Sequence, residues 1–227
     1  GFYLEILENY KFKKPLIVYN FFLGDLKDKM TNNKNLIILN ENSNLEMIEF
    51  NTDISKGNFV QNNHTSIKIG KNSSLKNYTV QGCKSNGFFY KYTNCTLKKD
   101  SSHDDYIFSS GLKFNKIEID LNIEGEHSNC NVQSALFLDS SSHQEIKTQI
   151  NHLKPNSKSY QKIKKVLNEG SKGAYQGKIF VKDIAQKTDA YQLSKAILLN
   201  ETSEFDSKPE LEIYADDVKC SHGSTSG

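Results

Sequence analysis

The strictest pattern in the sequence is the alternation Ile117-Glu118-Ile119-Asp120-Leu121-Asn122-Ile123. Its four aliphatic residues are separated by single charged or polar residues, so the apolar character recurs with a period of two. Side chains along a β-strand point alternately to opposite faces of the sheet. The stretch therefore predicts a strand with one buried face and one solvated face.

Shorter apolar runs follow one another along the chain at intervals of roughly 8 to 12 residues. They are Leu16–Tyr19, Leu36–Leu39, Leu45–Phe50, Ile67–Ile69, Val132–Leu138, Ile179–Val181, Ile197–Leu199 and Leu211–Tyr214. Clusters of Gly, Asn, Ser and Asp separate these runs and predict turns at Lys71–Ser74, Gly125–Asn129, Asp139–Ser142 and Asn200–Ser203. The pattern predicts an all-β fold over a single domain, 1–227, and fits a sandwich, a barrel or a solenoid about equally.

Two segments depart from this pattern. The segment Tyr160–Leu167 has apolar residues at helical spacing and is ambiguous between a short helix and a strand. The segment Ser85–Tyr106 is the least regular part of the sequence and is expected to contain an elongated loop.

The composition excludes several classes of protein. With 36% hydrophobic and 11% aromatic residues among 227, the chain can form a packed core and does not fit a disordered protein. No stretch approaches the ~18 consecutive apolar residues of a membrane-spanning helix. The net charge of +2 provides no electrostatic footprint for nucleic acid or a membrane surface. All 29 basic residues are lysine, so guanidinium recognition of phosphate does not occur in this chain.

The cysteines are sparse. Cys83, Cys95, Cys130 and Cys220 lie far apart and include no Cys-x-x-Cys pair. A dense disulfide framework of the secreted kind is therefore not expected, and a reducing compartment is favoured.

The C-terminal half carries residues that resemble a known family. The stretches Gly173–Val181, Ala185–Gln192 and Lys208–Gly223 resemble the SufB/SufD family, the scaffold components of the SUF iron-sulfur cluster assembly system. Within the last stretch, Val218–Gly223 resembles the SufD branch. The resemblance implies a right-handed parallel β-helix, or β-solenoid, as the core. It also implies that the chain is a fragment of the core domain, truncated before a C-terminal helical segment that lies beyond Gly227.

The resemblance implies a scaffold subunit and not an enzyme. Such a subunit would form a heterodimer with a SufB-like protein and would bind a SufC-like ABC-type ATPase through the missing C-terminal segment. No nucleic acid or membrane partner is expected. The Lys- and Asn-rich, Arg-free composition is typical of an AT-rich genome, so a SUF component of this kind is expected in the plastid or apicoplast of a protist. The alternative compartment is a bacterial cytoplasm.

The strongest candidate site is the pair Cys220 and His222. In a strand, residues i and i+2 share a face, and sulfur and imidazole are both ligand types of iron-sulfur clusters. From the residues alone, an alternative stays open in which Cys220 is a small buried side chain and His222 a hydrogen-bonded turn residue. The resemblance implies an iron-sulfur assembly interface. The fragment alone is then expected to hold no metal or cofactor, and a cluster would be bound transiently, with ligands from the SufB-like partner.

For the remaining candidates we expect structural roles. His152 is expected to form a hydrogen bond that fixes a turn, and the carboxylates of Asp216–Asp217 are expected to face solvent. The run His103–Asp105 predicts a solvated loop, since adjacent residues of a strand point to opposite faces and cannot share a metal ion. His127 and Cys130 could supply only half of a tetrahedral metal site.

Two other functions compete with the scaffold. A carbohydrate-binding or carbohydrate-active β-solenoid needs paired carboxylates about 5 to 10 Å apart on one face. Glu118 and Asp120 have suitable spacing, but the sequence gives them no adjacent aromatic platform. A purely structural interaction domain is the third alternative.

Overall fold

The computed structural model describes residues 1–82 and 84–227, so Cys83 lies outside the described residues. All elements of regular secondary structure among these residues are β-strands. None of the described residues forms a helix that is long and apolar enough to cross a membrane. The strands are β1 (Tyr3–Ile6), β2 (Leu16–Phe22), β3 (Lys29–Leu39), β4 (Asn44–Asp53), β5 (Phe59–Ile69), β6 (Ser74–Gln81), β7 (Ser85–Leu97), β8 (Ser102–Ser109), β9 (Leu112–Ile123), β10 (Asn129–Leu138), β11 (His143–His152), β12 (Lys158–Leu167), β13 (Lys172–Val181), β14 (Asp189–Leu198), β15 (Glu204–Ile213) and β16 (Lys219–Ser226).

The strands form two parallel sheets between which the chain alternates. The odd-numbered strands pair in the order β1-β3-β5-β7-β9-β11-β13-β15, and the even-numbered strands pair in the order β16-β14-β12-β10-β8-β6-β4-β2. Each pair of consecutive strands is thus one coil, and each strand pairs with the strands one coil before and after it. The architecture is a parallel β-solenoid of about eight coils. The β-solenoid expectation is confirmed.

The strand that decided the sequence interpretation lies in the middle of the solenoid. All four aliphatic residues of Ile117–Ile123 are 5% exposed or less, and they form part of the main apolar core. Leu121 pairs in register with Cys95 on β7 and Ile150 on β11, both of which are also buried. The predicted half-buried strand is therefore correct.

The corners of the solenoid repeat a short motif that the sequence interpretation did not identify. At eight corners of the described chain a residue with positive φ precedes a buried hydroxyl residue; the pairs are Asn42-Ser43, Asn72-Ser73, Asp100-Ser101, His127-Ser128, Ser141-Ser142, Asn156-Ser157, Gly170-Ser171 and Lys187-Thr188. Ser73 Oγ donates to the Asn40 carbonyl at 2.7 Å and accepts from the Ser43 amide at 3.1 Å. The hydroxyl thus links one corner to the corner of the preceding coil and satisfies buried backbone groups there.

The ambiguous segment and the predicted loop both form strands. Tyr160–Leu167 lies within β12, which pairs with β10 and β14. Because side chains alternate along a strand, Ile163 and Leu167 point inward and Val166 points outward. The loop predicted for Ser85–Tyr106 is wrong, since β7 and most of β8 occupy it. Polar residues on the inward face hid the alternation. Lys91 Nζ, for example, lies 3.2 Å from Glu49 Oε2 inside the solenoid.

The alternation can be tested by placing a charge on each face. Leu121→Asp should lower the free energy of unfolding by about 4 kcal/mol, since an unpaired carboxylate would lie in the apolar core. Thr96→Asp is the control, because Thr96 points outward beside Lys68 and should change stability by less than about 1 kcal/mol. Urea denaturation of both variants measures the difference. Equal losses would mean that the two faces are misassigned.

Candidate functional site

The Cys-x-His pair lies on β16, the last strand of the even-numbered sheet. Cys220 pairs in register with Ala190, and His222 pairs with Gln192. Ala190 and Gln192 both point into the solenoid and are 1% exposed. The two side chains of the pair therefore share the inward face, as predicted, and continue two interior columns of the preceding coil.

The environments of the two side chains differ. Cys220 is half-buried and packs against the apolar cluster that includes Val181 and Ala190. Desolvation raises the pKa of the Cys220 thiol, which favours its protonated form. His222 is exposed on β16, whereas Gln192, its neighbour in register on β14, is buried. The imidazole is therefore more accessible than the thiol, which would need an electropositive partner or a metal to ionise.

A buried hydrogen-bond network underlies His222. Tyr175 Oη lies 3.2 Å from Gln161 Oε1 and 3.4 Å from Gln192 Oε1, so its one proton can be donated to either oxygen. Thr148 Oγ1 donates to Gln161 Oε1 at 2.5 Å. Burial raises the pKa of Tyr175 to about 12, so its hydroxyl stays protonated. Gly177 is required beside this network, because a Cβ at that position would collide with the Tyr175 hydroxyl and with Gln192. The network therefore gives the site a fixed polar floor.

The sequence interpretation missed this network. The signal that could have shown it is the alternation of Gly173, Tyr175 and Gly177, in which two inward positions lack side chains around a large inward tyrosine. The partners Gln161 and Gln192 lie on the facing sheet, so only the coil register brings them to Tyr175.

His152 has the structural role that was predicted. It is fully buried, with Nδ1 2.7 Å from Ser157 Oγ and Nε2 2.9 Å from Ser159 Oγ. Burial lowers its pKa to about 4, so the ring is neutral at physiological pH. The two hydroxyls hold it at the corner between β11 and β12.

The other candidates do not combine into a site. His103–Asp105 lies in β8 and not in the predicted solvated loop: His103 and Asp105 are buried, and the intervening Asp104 points to the other face. That prediction failed because His103, Asp105 and Ser109, three of the four inward residues of β8, are polar. His127 is exposed at a corner whereas Cys130 is buried, so the two do not share a ligand. Asp216–Asp217 is solvent-facing, as predicted. Over residues 1–82 and 84–227, no group of three or more His, Cys, Asp or Glu side chains could hold a metal ion.

The carboxylates considered for carbohydrate chemistry lie on the outer face of β9. Glu118 Oε1 is 3.2 Å from Lys116 Nζ, and Asp120 Oδ1 accepts from Asn151 Nδ2 at 3.1 Å. Tyr92 lies in register beside Glu118, so the expectation that no aromatic residue adjoins this row is wrong. Both carboxylates nevertheless take part in contacts that stabilise the sheet.

A family model and several known proteins connect this chain with iron-sulfur cluster assembly. The family model for the SUF system FeS cluster assembly, SufBD core domain, matches residues 21–227. The chain is 24% identical over 216 residues to the iron-sulfur cluster assembly protein SufD of Escherichia coli, an alignment that covers 94% of this chain and 51% of that protein.

Two further relatives come from a cyanobacterium and a plant. Over 229 residues the chain is 24% identical to an iron-sulfur cluster assembly SufBD family protein of Synechocystis, with coverage of 96% of this chain and 50% of that protein. Over 229 residues it is also 24% identical to Protein ABCI7, chloroplastic, of Arabidopsis thaliana, with coverage of 97% and 48%. The chain spans about half the length of the curated relatives that it matches.

The buried histidine predicts a pH dependence of stability. The pKa of His152 is about 4 in the folded chain and about 6.5 in the unfolded chain. Between these pH values only the unfolded state binds the proton, so the contribution of His152 is complete above pH 6.5 and is lost as the pH falls toward 4. The loss should be up to roughly 3 kcal/mol. Denaturant titrations from pH 7 to 4 should show a shallower decline for His152→Gln. The exposed control His222→Ala should keep the wild-type slope, and an unchanged slope in His152→Gln would contradict the assignment.

Proposed function

The chain belongs to the SufBD core-domain family of the SUF iron-sulfur cluster assembly system, and on that premise we propose that it is the β-solenoid core of a non-catalytic, SufD-type scaffold subunit. The subunit pairs with a SufB-like protein, and the pair is driven by a SufC-like ABC-type ATPase. The nascent iron-sulfur cluster is the cargo of the complex. It is held at the interface of the two solenoid subunits and is not a resident cofactor of this chain.

The observation that carries this proposal is that Cys220 and His222 lie two residues apart on the inward face of β16. β16 pairs with β14, and we assign the contact with the SufB-like partner to the strands around this pair. The inward face of the same strand presents one thiol and one imidazole, which is half of the roughly four ligands of a cluster. A partner that extends the sheet would bring its own ligands next to these two.

The assignment of a scaffold role is supported by what surrounds the pair. Gln192 and Tyr175 are hydrogen-bonded to each other below His222, and both are uncharged. The site therefore offers ligands and a rigid floor. The carbohydrate alternative is not proposed, because the family match assigns residues 21–227 to cluster assembly.

The ATPase and the compartment are inferred from the relatives. The chain spans only about half of their length, and we assign the binding of the ATPase to a segment outside this sequence. One relative is named as chloroplastic and others are bacterial. Together with the Lys- and Asn-rich composition, this supports a plastid or apicoplast, with a bacterial cytoplasm as the alternative.

The ligand role of His222 can be tested by anaerobic reconstitution with iron and sulfide. The 227-residue chain alone should show negligible visible absorbance, because it supplies only two ligands. The complex with its SufB-like and SufC-like partners should form a cluster, and His222→Ala should reduce the cluster absorbance severalfold. Cys220→Ala should have a smaller effect, since the partner can supply a thiolate. His127→Ala is the control, because His127 is exposed at a corner away from the site, and this variant should leave cluster formation unchanged. Unchanged absorbance in His222→Ala would refute the site.

The interface can be tested separately from the ligands. Ile213 and Tyr214 follow each other at the end of β15, next to β16, and are 38% and 61% exposed. The double substitution Ile213→Lys/Tyr214→Lys should weaken binding to the SufB-like protein at least about tenfold, since it places charges in a contact of apolar residues. Ile54→Lys is the control, because Ile54 is 69% exposed at the far end of the solenoid. Calorimetric titration measures both affinities, and equal affinities would place the interface elsewhere.

A further inference from the structure

The outer face of the even-numbered sheet carries a continuous apolar surface over β2, β4, β6 and β8. Two neighbouring outward columns in these strands contain only aliphatic and aromatic residues. We call this surface the aromatic tile; its residues are Ile17, Ile48, Tyr78 and Tyr106 in one column and Tyr19, Phe50, Val80 and Phe108 in the other. An apolar set of this size on the outer face of a sheet is not needed for the solenoid core, which lies on the other side of the same strands.

The aromatic tile is ordered and accessible. The rings of Tyr19 and Phe50 stack with centroids 5.4 Å apart, and those of Tyr78 and Tyr106 stack at 4.8 Å. Tyr19 is 58% exposed and Phe108 is 45% exposed. The rings thus form a preorganised surface that would lose little conformational entropy on binding.

The same two columns become basic farther along the sheet. In register with Tyr106 and Phe108, and two strands away, lie Lys162 and Lys164 on β12, and Lys164 pairs directly with Lys195 on β14. We call these three residues the lysine field. Within the described part of the chain none of the three forms an ion pair. Like charges directly opposite each other destabilise a sheet. The pairing of Lys164 with Lys195 therefore lowers the stability of the fold, and folding alone does not explain why it is present.

The length and width of the surface formed by the aromatic tile and the lysine field match those of a single α-helix. Strands lie about 4.8 Å apart, so the six steps from β2 to β14 span roughly 29 Å, the length of an α-helix of about 20 residues. The tile is two columns wide and four strands long, which is about 7 Å between the columns and about 14 Å across the strands. This is far less than the ~800 Å² per partner of a stable protein dimer. A second copy of the chain would therefore be poorly held, whereas a single helix fits the width.

We propose that this face docks one amphipathic α-helix of a partner protein, with an apolar stripe on the aromatic tile and acidic side chains on the lysine field. The charge order fixes the direction of the helix, because its acidic end must lie toward β14. The proposal is independent of Cys220 and His222, which lie on the inward face.

The test uses the 227-residue chain and a fluorescently labelled synthetic helix of 20 residues. The peptide carries Leu and Phe at positions i, i+3, i+4 and i+7 of its first half and Glu on the same face of its second half. Fluorescence anisotropy should show saturable binding. Tyr19→Thr/Phe108→Thr and Lys162→Glu/Lys164→Glu should each weaken it at least about tenfold. Tyr92→Thr, on the outer face of the other sheet, should leave it unchanged, and thermal melts should show that all variants fold.

A second peptide, with Lys in place of Glu, should bind at least about tenfold more weakly than the first. Absent binding, or equal binding to all variants, would overturn the proposal. Two other occupants would also overturn it. A dimer in light scattering that Tyr19→Thr/Phe108→Thr converts to a monomer would make the tile a contact between copies. Binding to phosphatidylserine vesicles that exceeds peptide binding, and that the same substitutions abolish, would make the face a lipid-binding surface.

Discussion

The structure depends on one constraint, the in-register parallel pairing of each strand with the strands one coil before and one coil after it. Leu121 is typical: its neighbours across the ladders are Cys95 and Ile150, and all three are buried. Because equivalent positions stack directly, an inward residue must be compatible with the residue above it and the residue below it. A substitution at an inward position therefore changes the packing of its own coil and of the coils before and after it.

The same constraint explains how the solenoid tolerates a polar interior. Asn77 Nδ2 donates to Asp105 Oδ1 at 2.9 Å across neighbouring strands, and the ion pair between Lys91 and Glu49 lies nearby. Lys165 is only 2% exposed, and its ammonium group donates to the carbonyls of Gln144 and Ala174. Burial lowers the pKa of Lys165 to about 7. Such groups add little net stability, but a shifted register would leave them without partners, so they help to specify the observed pairing.

The candidate site and the proposed docking surface are two results of this stacking. Cys220 and His222 continue on β16 the inward columns that hold Ala190 and Gln192 on β14. The aromatic tile uses the outward columns of the same sheet at its other end. The proposed cluster ligands and the proposed helix would therefore not compete for the same residues.

The sequence by itself determined the strands whose inward residues are apolar, the turns between them, and the shared face of Cys220 and His222. A period of two is a local property of the chain, and the family resemblance then selected a solenoid among the folds that this period allows. The apolar runs did not identify β1, β6, β7, β8 or β11, and they left β12 ambiguous. In β7, β8 and β12 the reason is that Lys91, Asp105 and Lys165 occupy inward positions that a local pattern predicts to be apolar. The sequence also could not place Tyr175 against Gln161 and Gln192 below His222. Only the tertiary structure decided these features, because each depends on hydrogen bonds to residues one coil away or on the facing sheet, and the partners for a buried charge are set by the register of the coils and not by its neighbours in sequence.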